Sequence, residues 1–372
     1  MTGSPTPLAH SGANPTIGIV GAGAMGTGIA QVALEAGSEV VIYDVEPVAI
    51  ERAREAIRHG LERRAAKLEL DADTIEAWAA GRLERLRQAH TLDAITAEAE
   101  LVVEAALEDL GLKREIFRAL DAGAPVDTIL ASNTSALSIG AIASVTAHPE
   151  RILGLHFFNP VPRMALVEVV PGPATAPGVV ARAEEIVRSW GKTPVRCTDT
   201  PGFIVNRVNR PFTIQALRLL ESGEASVEAI DQAMRDAGYP MGPFELMDLA
   251  GLDVNLAAAR GVWEGLGSPE HLRPSEIQER LVAAGRLGRK TGAGFYDYAD
   301  GRRGAVAAEF AEAPEASSLD AADIAERILT AIDEEAHRAL AGGVASEADI
   351  DTALRLGAGH PHGPFERRAR HA

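Results

Sequence analysis

Residues Leu155 to Val170 read LHFFNPVPRMALVEVV and set His156 and Glu168 on two apolar runs joined by a Pro-rich turn. An imidazole ordinarily titrates near neutrality, and a carboxylate held against it stabilises the imidazolium formed when it takes a proton. The pair could therefore remove a proton from a substrate. The plainer reading of a histidine in an apolar strand is a satisfied core or surface residue, so its surroundings must decide. A second set of residues, GAGAMG at Gly21 to Gly26, has the spacing of a phosphate cradle. Gly21 permits a tight turn, Gly23 lets the backbone approach a pyrophosphate, and Gly26 lets a helix pack closely on its strand, with Ala24 and Met25 opening that helix. Asp44 follows about 20 residues on, where an acid can bond a ribose hydroxyl and repel a 2′-phosphate. NAD is therefore expected rather than NADP.

The elements that position these groups follow from the pattern around them. Thr16 to Val20 is a β-branched run leading into the glycines, a helical pattern continues to Ala36, and Glu39 to Tyr43 forms a second strand ending at Asp44. Glu46 to Arg87 is charged, Ala-rich and helical, and reads as a projecting helical hairpin whose Arg63, Arg64 and Lys67 suit a solvated face. Strand patterns resume at Leu101–Glu104 and Thr128–Ala131, with a helix from Leu112 to Ala122 between them. Strands alternating with helices predict a Rossmann-like, doubly wound parallel sheet. Ligands of such sheets sit beyond the carboxyl ends of the strands, where Glu104, Glu108, Ser132 to Ser135 and His156 all fall. Pro201-Gly202 precedes an apolar helical run, so Asn206 lies early on the helix that opens a second domain.

Composition narrows the class of function. A chain of 372 residues should divide into two or three domains, and a formal net charge of −17 argues against nucleic-acid or anionic-membrane partners. The single cysteine, Cys197, excludes an intrachain disulfide and lies in a strand-like run, where a buried structural thiol is expected. No metal cluster is expected. Residues 1–15 have neither a basic start nor an apolar signal, and no apolar run reaches spanning length, so a disordered N-terminus and a cytoplasmic protein are expected.

Seven stretches taken in order, GAGAMG with Asp44, LVVEAALEDLGLK, ASNTSALSI, GLHFFNPVPRMALVEVV, DTPGFIVNRV, GYPMGPFELMDLAGLD and GRKTGAGFYDY, resemble the 3-hydroxyacyl-CoA dehydrogenase family, including its 3-hydroxybutyryl-CoA dehydrogenases. The likeness runs from Thr16 to Tyr298. It implies an NAD-binding domain at 16–198 and an all-helical substrate and dimerisation domain at 199–299, with the active site in the cleft between them. It further implies NAD-dependent, reversible oxidation of a short-chain (S)-3-hydroxyacyl-CoA in fatty acid metabolism, as in β-oxidation. His156 then matches the general base and Glu168 the carboxylate that orients it. Ser135 and Asn206 match residues that bond the substrate near its reacting oxygen. Glu108, Lys113 and Lys290, together with Ser135, match cofactor contacts, and Lys67 matches a basic contact to CoA. The hydroxyl expected beside that contact is missing, since Gly60 stands in its place. A hydroxyacyl thioester of an acyl carrier protein is the alternative substrate, and an NAD-binding protein without catalysis a further one. A homodimer is expected.

Residues 300–318 read as a linker, after which the chain repeats itself. Ile204 to Arg235 aligns with Ile324 to Arg355, and GYPMGPFE recurs as GHPHGPFE. Residues 319–372 are thus a partial second copy of the helical domain. Glu326 stands where this copy would need its Asn206, so one site per chain is expected. The copy should pack on the first and occupy part of the surface another subunit would use.

Overall fold

Hydrophobic strands buried on both faces require helices on either side, and residues 14–199 meet that requirement. The structure is a computed structural model that describes residues 14–311 and 319–371, so nearly all of the expected disordered N-terminus lies outside the described residues. The chain forms two compact units, Met1–Asp199 and Thr200–Ala372.

In the first unit the order is β1 (Thr16–Val20), α1 (Ala24–Glu35), β2 (Glu39–Tyr43), α2 (Pro47–Lys67), α3 (Ala72–Leu83), β3 (Leu86–Gln88), α4 (Leu92–Thr96) and β4 (Leu101–Glu104). It continues through α5 (Leu110–Gly123), β5 (Ile129–Ser132), α6 (Ile139–Ala143), β6 (Ile152–Phe157), β7 (Leu166–Pro171), α7 (Pro177–Ser189) and β8 (Thr193–Arg196). The eight strands form one sheet in the order β3-β2-β1-β4-β5-β6-β7-β8. Every neighbouring pair is parallel except β6 and β7. The connection between those two, residues 158–165, is too short for the crossover a parallel pair needs, so they form a hairpin. Ile17, Ile19, Val40, Ile42, Leu101, Val103 and Leu155 pack with Ile29, Leu34, Ile57 and Leu61 into one core. The projecting hairpin is α2 and α3, but it ends sooner than expected: the chain re-enters the sheet at Leu86 and adds β3 at its edge. Cys197 is buried just beyond β8.

The second unit contains α8 (Val205–Val208), α9 (Arg210–Glu221), α10 (Val227–Asp236), α11 (Pro243–Ala250), α12 (Leu252–Gly265) and α13 (Glu276–Ala283). Then come β9 (Tyr296–Ala299), β10 (Arg302–Val306), α14 (Ala308–Ala311), α15 (Ala321–Ala341), α16 (Glu347–Ala358) and α17 (Pro364–His371). The unit is therefore not purely helical. The segment expected to be a linker begins instead with β10, paired antiparallel to β9, and with Phe310 packed on Phe295. Only residues 312–318 of it lie outside the described residues.

Two helix corners of this unit share the same hydrogen bonds. Asp231 accepts from the Phe244 and Glu245 amides at 2.9 and 3.2 Å, and Asp351 from the Phe365 and Glu366 amides at 2.9 and 3.0 Å. In both cases a helix N-terminus is held by an acid on the preceding helix. Where α8 and α9 are separated at Asn209, α15 runs unbroken, because Pro211 supplies no amide hydrogen and its counterpart is Ala331. α15 lies against α9 and α10 within this unit, with Glu335 bonded to Arg207 at 2.7 Å and to His271 at 2.8 Å.

Candidate active site

Antiparallel pairing of β6 with β7 sets His156 directly opposite Glu168. His156 Nδ1 lies 2.6 Å from Glu168 Oε2, and both side chains are buried. A carboxylate can only accept, so Nδ1 carries the proton and the lone pair is left on Nε2. Nε2 lies 3.1 Å from the Ser135 hydroxyl oxygen. Glu168, His156 and Ser135 thus form a hydrogen-bonded line from the interior to an exposed loop beyond β5.

That loop is shaped by Glu108. One carboxylate oxygen accepts from the Thr134 hydroxyl at 2.6 Å and from the Ser135 and Ala136 amides at 2.8 and 3.1 Å. Lys113, expected as a cofactor contact, is buried. Its ammonium lies 2.6 Å from Glu104 and 3.4 Å from Glu108, so it neutralises the acids that shape the loop. Glu104 also accepts from the Ser132 hydroxyl at 2.6 Å and the Ala106 amide at 2.7 Å. Sequence reasoning placed Glu104 at its strand end but gave it no role. The hint was an acid closing an otherwise apolar strand, LVVE.

The glycine turn has the geometry its spacing predicts. Gly21 has φ of +103°, and a Cβ there would sit 2.7 Å from the Ala105 carbonyl oxygen. A Cβ at Gly26 would come within 1.9 Å of the Gly21 carbonyl, whereas Gly23 has nothing within 4 Å of that position. Gly23 precedes α1 with no side chain capping the helix, so the amides of the first turn at Ala24, Met25 and Gly26 face open space that a pyrophosphate can enter. Asp44 braces the turn, accepting from the Ala22 amide at 2.7 Å and the Glu46 amide at 2.9 Å. These groups and the dyad all lie at one end of the parallel strands.

The remaining candidates are placed as follows. Lys67 is exposed at the last residue of α2. Gly60 is buried, and a Cβ there would stand 2.1 Å from the Gln31 side-chain oxygen, so Gln31 fills the space a hydroxyl side chain would need. Asn206 lies in α8 of the second unit. Lys290, in the same unit, is held by both oxygens of Asp253 at 2.6 and 2.7 Å. Among the described residues no cluster of His, Cys, Asp or Glu could hold a metal ion, and no helix is long and apolar enough to cross a membrane.

Residues 16–200 match the family model of the 3-hydroxyacyl-CoA dehydrogenase NAD-binding domain, and residues 202–298 and 324–368 match that of the C-terminal domain. The chain belongs to the 3-hydroxyacyl-CoA dehydrogenase family. Its N-terminal unit is therefore an NAD-binding domain within a family of NAD-dependent oxidoreductases. It is 47% identical over 295 residues to the 3-hydroxyadipyl-CoA dehydrogenase of Escherichia coli, a match covering 79% of this chain and 61% of that relative's length. A probable 3-hydroxybutyryl-CoA dehydrogenase of Bacillus subtilis is 41% identical over 75% of this chain and 96% of its own. The crystal structure of an Escherichia coli 3-hydroxybutyryl-CoA dehydrogenase superposes with a TM-score of 0.86 at 38% identity, over 96% of this chain and 92% of that one. This likeness to a solved 3-hydroxyacyl-CoA dehydrogenase spans the second unit as well as the first.

Proposed function

We propose that the chain oxidises short-chain (S)-3-hydroxyacyl-CoA thioesters, such as 3-hydroxybutyryl-CoA, reversibly to 3-oxoacyl-CoA in fatty acid metabolism. The observation that carries this reading is the Glu168–His156–Ser135 line, which ends at the same strand termini as the glycine turn. NAD, when bound, supplies the acceptor for the hydride that leaves C3. The Ala24, Met25 and Gly26 amides with Asp44 are the groups that would hold it.

The protein's own groups account for the proton. His156 Nε2 accepts the C3 hydroxyl proton as C3 becomes a carbonyl, and the Nδ1–H bond to Glu168 favours the resulting imidazolium. Burial of both side chains strengthens that interaction, because little water competes for the charge. Ser135 donates to the substrate oxygen, and Asn206 does the same in the role its motif implies. Glu108 fixes the Ser135 backbone, so the hydroxyl need not be ordered anew for each turnover. Lys67 on the α2–α3 hairpin is assigned to CoA.

Steady-state NADH formation with (S)-3-hydroxybutyryl-CoA, its (R) isomer and the same acyl group on an acyl carrier protein checks the reading. Higher kcat/KM for the (S)-CoA ester is expected. A marked preference for the carrier protein would overturn the CoA assignment, and no turnover of any of the three would overturn the dehydrogenase.

A further inference from the structure

A loop that presents a reacting group needs anchors, and α6, only five residues long, cannot supply them alone, because helices this short are unstable in isolation. Six amides between Ser135 and Ala141 are held by side chains. Glu108 takes those of Ser135 and Ala136, and the Thr134 hydroxyl oxygen takes that of Leu137 at 2.9 Å. Asp199 takes the next two. Its Oδ1 accepts from the Ile139 amide at 3.0 Å and its Oδ2 from the Gly140 amide at 2.8 Å. Oδ2 also accepts from the Ser138 hydroxyl at 2.8 Å, which turns the Ser138 oxygen toward the Ala141 amide 3.1 Å away. Asp199 is the last residue of the first unit and lies 60 residues along the chain from Ile139.

We infer that Asp199 is a positioning residue for Ser135: by holding residues 138–140 it fixes the loop that aims the Ser135 hydroxyl at His156 Nε2. This rests on the dehydrogenase reading above, in which that hydroxyl also meets the substrate oxygen. The three bonds of Glu108 converge on one carboxylate oxygen, so alone they leave the loop able to pivot about that point. Asp199 grips the chain three to five residues further on and removes that freedom. The anchor is itself firm. β8 runs beside β7 with Val195 opposite Glu168, and the Cys197 amide donates to the Val169 carbonyl at 3.1 Å. Asp199, two residues beyond Cys197, therefore ties the Ser135 end of the hydrogen-bonded line back to the strands that carry its Glu168 end. One frame sets both ends, and the Ser135 oxygen stays 3.1 Å from Nε2.

A double-mutant cycle tests this, with kcat measured at saturating NAD and (S)-3-hydroxybutyryl-CoA. Asp199→Ala should lower kcat about tenfold, since misplacing a reacting group by about 1 Å can cost about 100-fold. Asp199→Asn, which keeps one accepting oxygen, should lose less. In a Ser135→Ala background Asp199→Ala should cost less than about twofold, because the group it positions is gone. An equal loss in both backgrounds, or no loss in the native one, would overturn the inference. A second readout needs no turnover: the His156 Nε2 signal in ¹⁵N-histidine-labelled protein. Ser135→Ala should move that signal, and Asp199→Ala should move it in the same direction. A signal unmoved by Asp199→Ala would overturn the inference, and this readout decides if Ser135→Ala has no measurable activity. If Asp199→Ala does not fold, Asp199→Asn carries both comparisons. Absence of turnover in the native chain would defeat the dehydrogenase reading, whereas native turnover with additive losses defeats this inference alone.

Discussion

Glu168 does its work through its hydrogen bond to His156 Nδ1. Facing His156 across β6 and β7, it fixes the imidazole in the form whose Nε2 can accept a proton. Glu168→Gln keeps the shape but can present an amide N–H to Nδ1, which favours the wrong tautomer. We expect kcat to fall by about tenfold or more with KM little changed, as measured in steady-state assays. Unchanged kcat would leave Glu168 a structural acid. At this scale the sequence set His156 and Glu168 on two apolar runs joined by one turn, and the hairpin brings them face to face. The sequence disclosed Lys113 poorly. An exposed helical lysine and one sealed between Glu104 and Glu108 look alike in sequence, since the difference lies in long-range burial.

Elements were legible where hydrophobic runs are long and obscure where they are short and polar. β1, β2, β4 and β5 announce themselves as apolar runs, but β3 has only Leu86 buried, and β10 reads RRGAV with four exposed residues. Both are edge strands, which need little apolar character to pair. The α16–α17 corner presents a buried histidine that no local pattern predicts. His360 Nε2 lies 2.7 Å from the Asn209 side-chain oxygen, so it donates there and leaves Nδ1 to accept from the Tyr239 hydroxyl at 3.1 Å. Burial, with a smaller contribution from Arg367, lowers the His360 pKa to about 3. A depressed pKa means that the unfolded chain binds the proton first. The stability this neutral histidine contributes is therefore complete above about pH 6.5 and is lost as pH falls toward 3. Urea unfolding at pH 7 and pH 5 should show His360→Gln losing about 2 kcal/mol less than the native chain over that interval. Equal losses would mean that other groups govern acid sensitivity.

At the scale of the whole molecule, the repeat was readable because its identities keep a nearly constant offset. Its packing was not, since Arg207, Glu335 and His271 are far apart in sequence and meet only when α15 covers α9 and α10. A chain ending at Ala311 would lose that cover, leaving Arg207 without its acid and Tyr239 without His360. We expect a lower Tm and increased self-association by light scattering. An unchanged Tm and oligomeric state would show that residues 319–371 neither brace the second unit nor occupy a subunit surface.

The catalytic expectations depend on the central claim that His156 removes the substrate proton. The most direct measurement is NADH formation from (S)-3-hydroxybutyryl-CoA by the native chain and by His156→Gln, with NAD affinity measured for both. A loss of about 10²- to 10⁴-fold in kcat at unchanged NAD affinity is the predicted result. Native kcat in the variant would contradict the account.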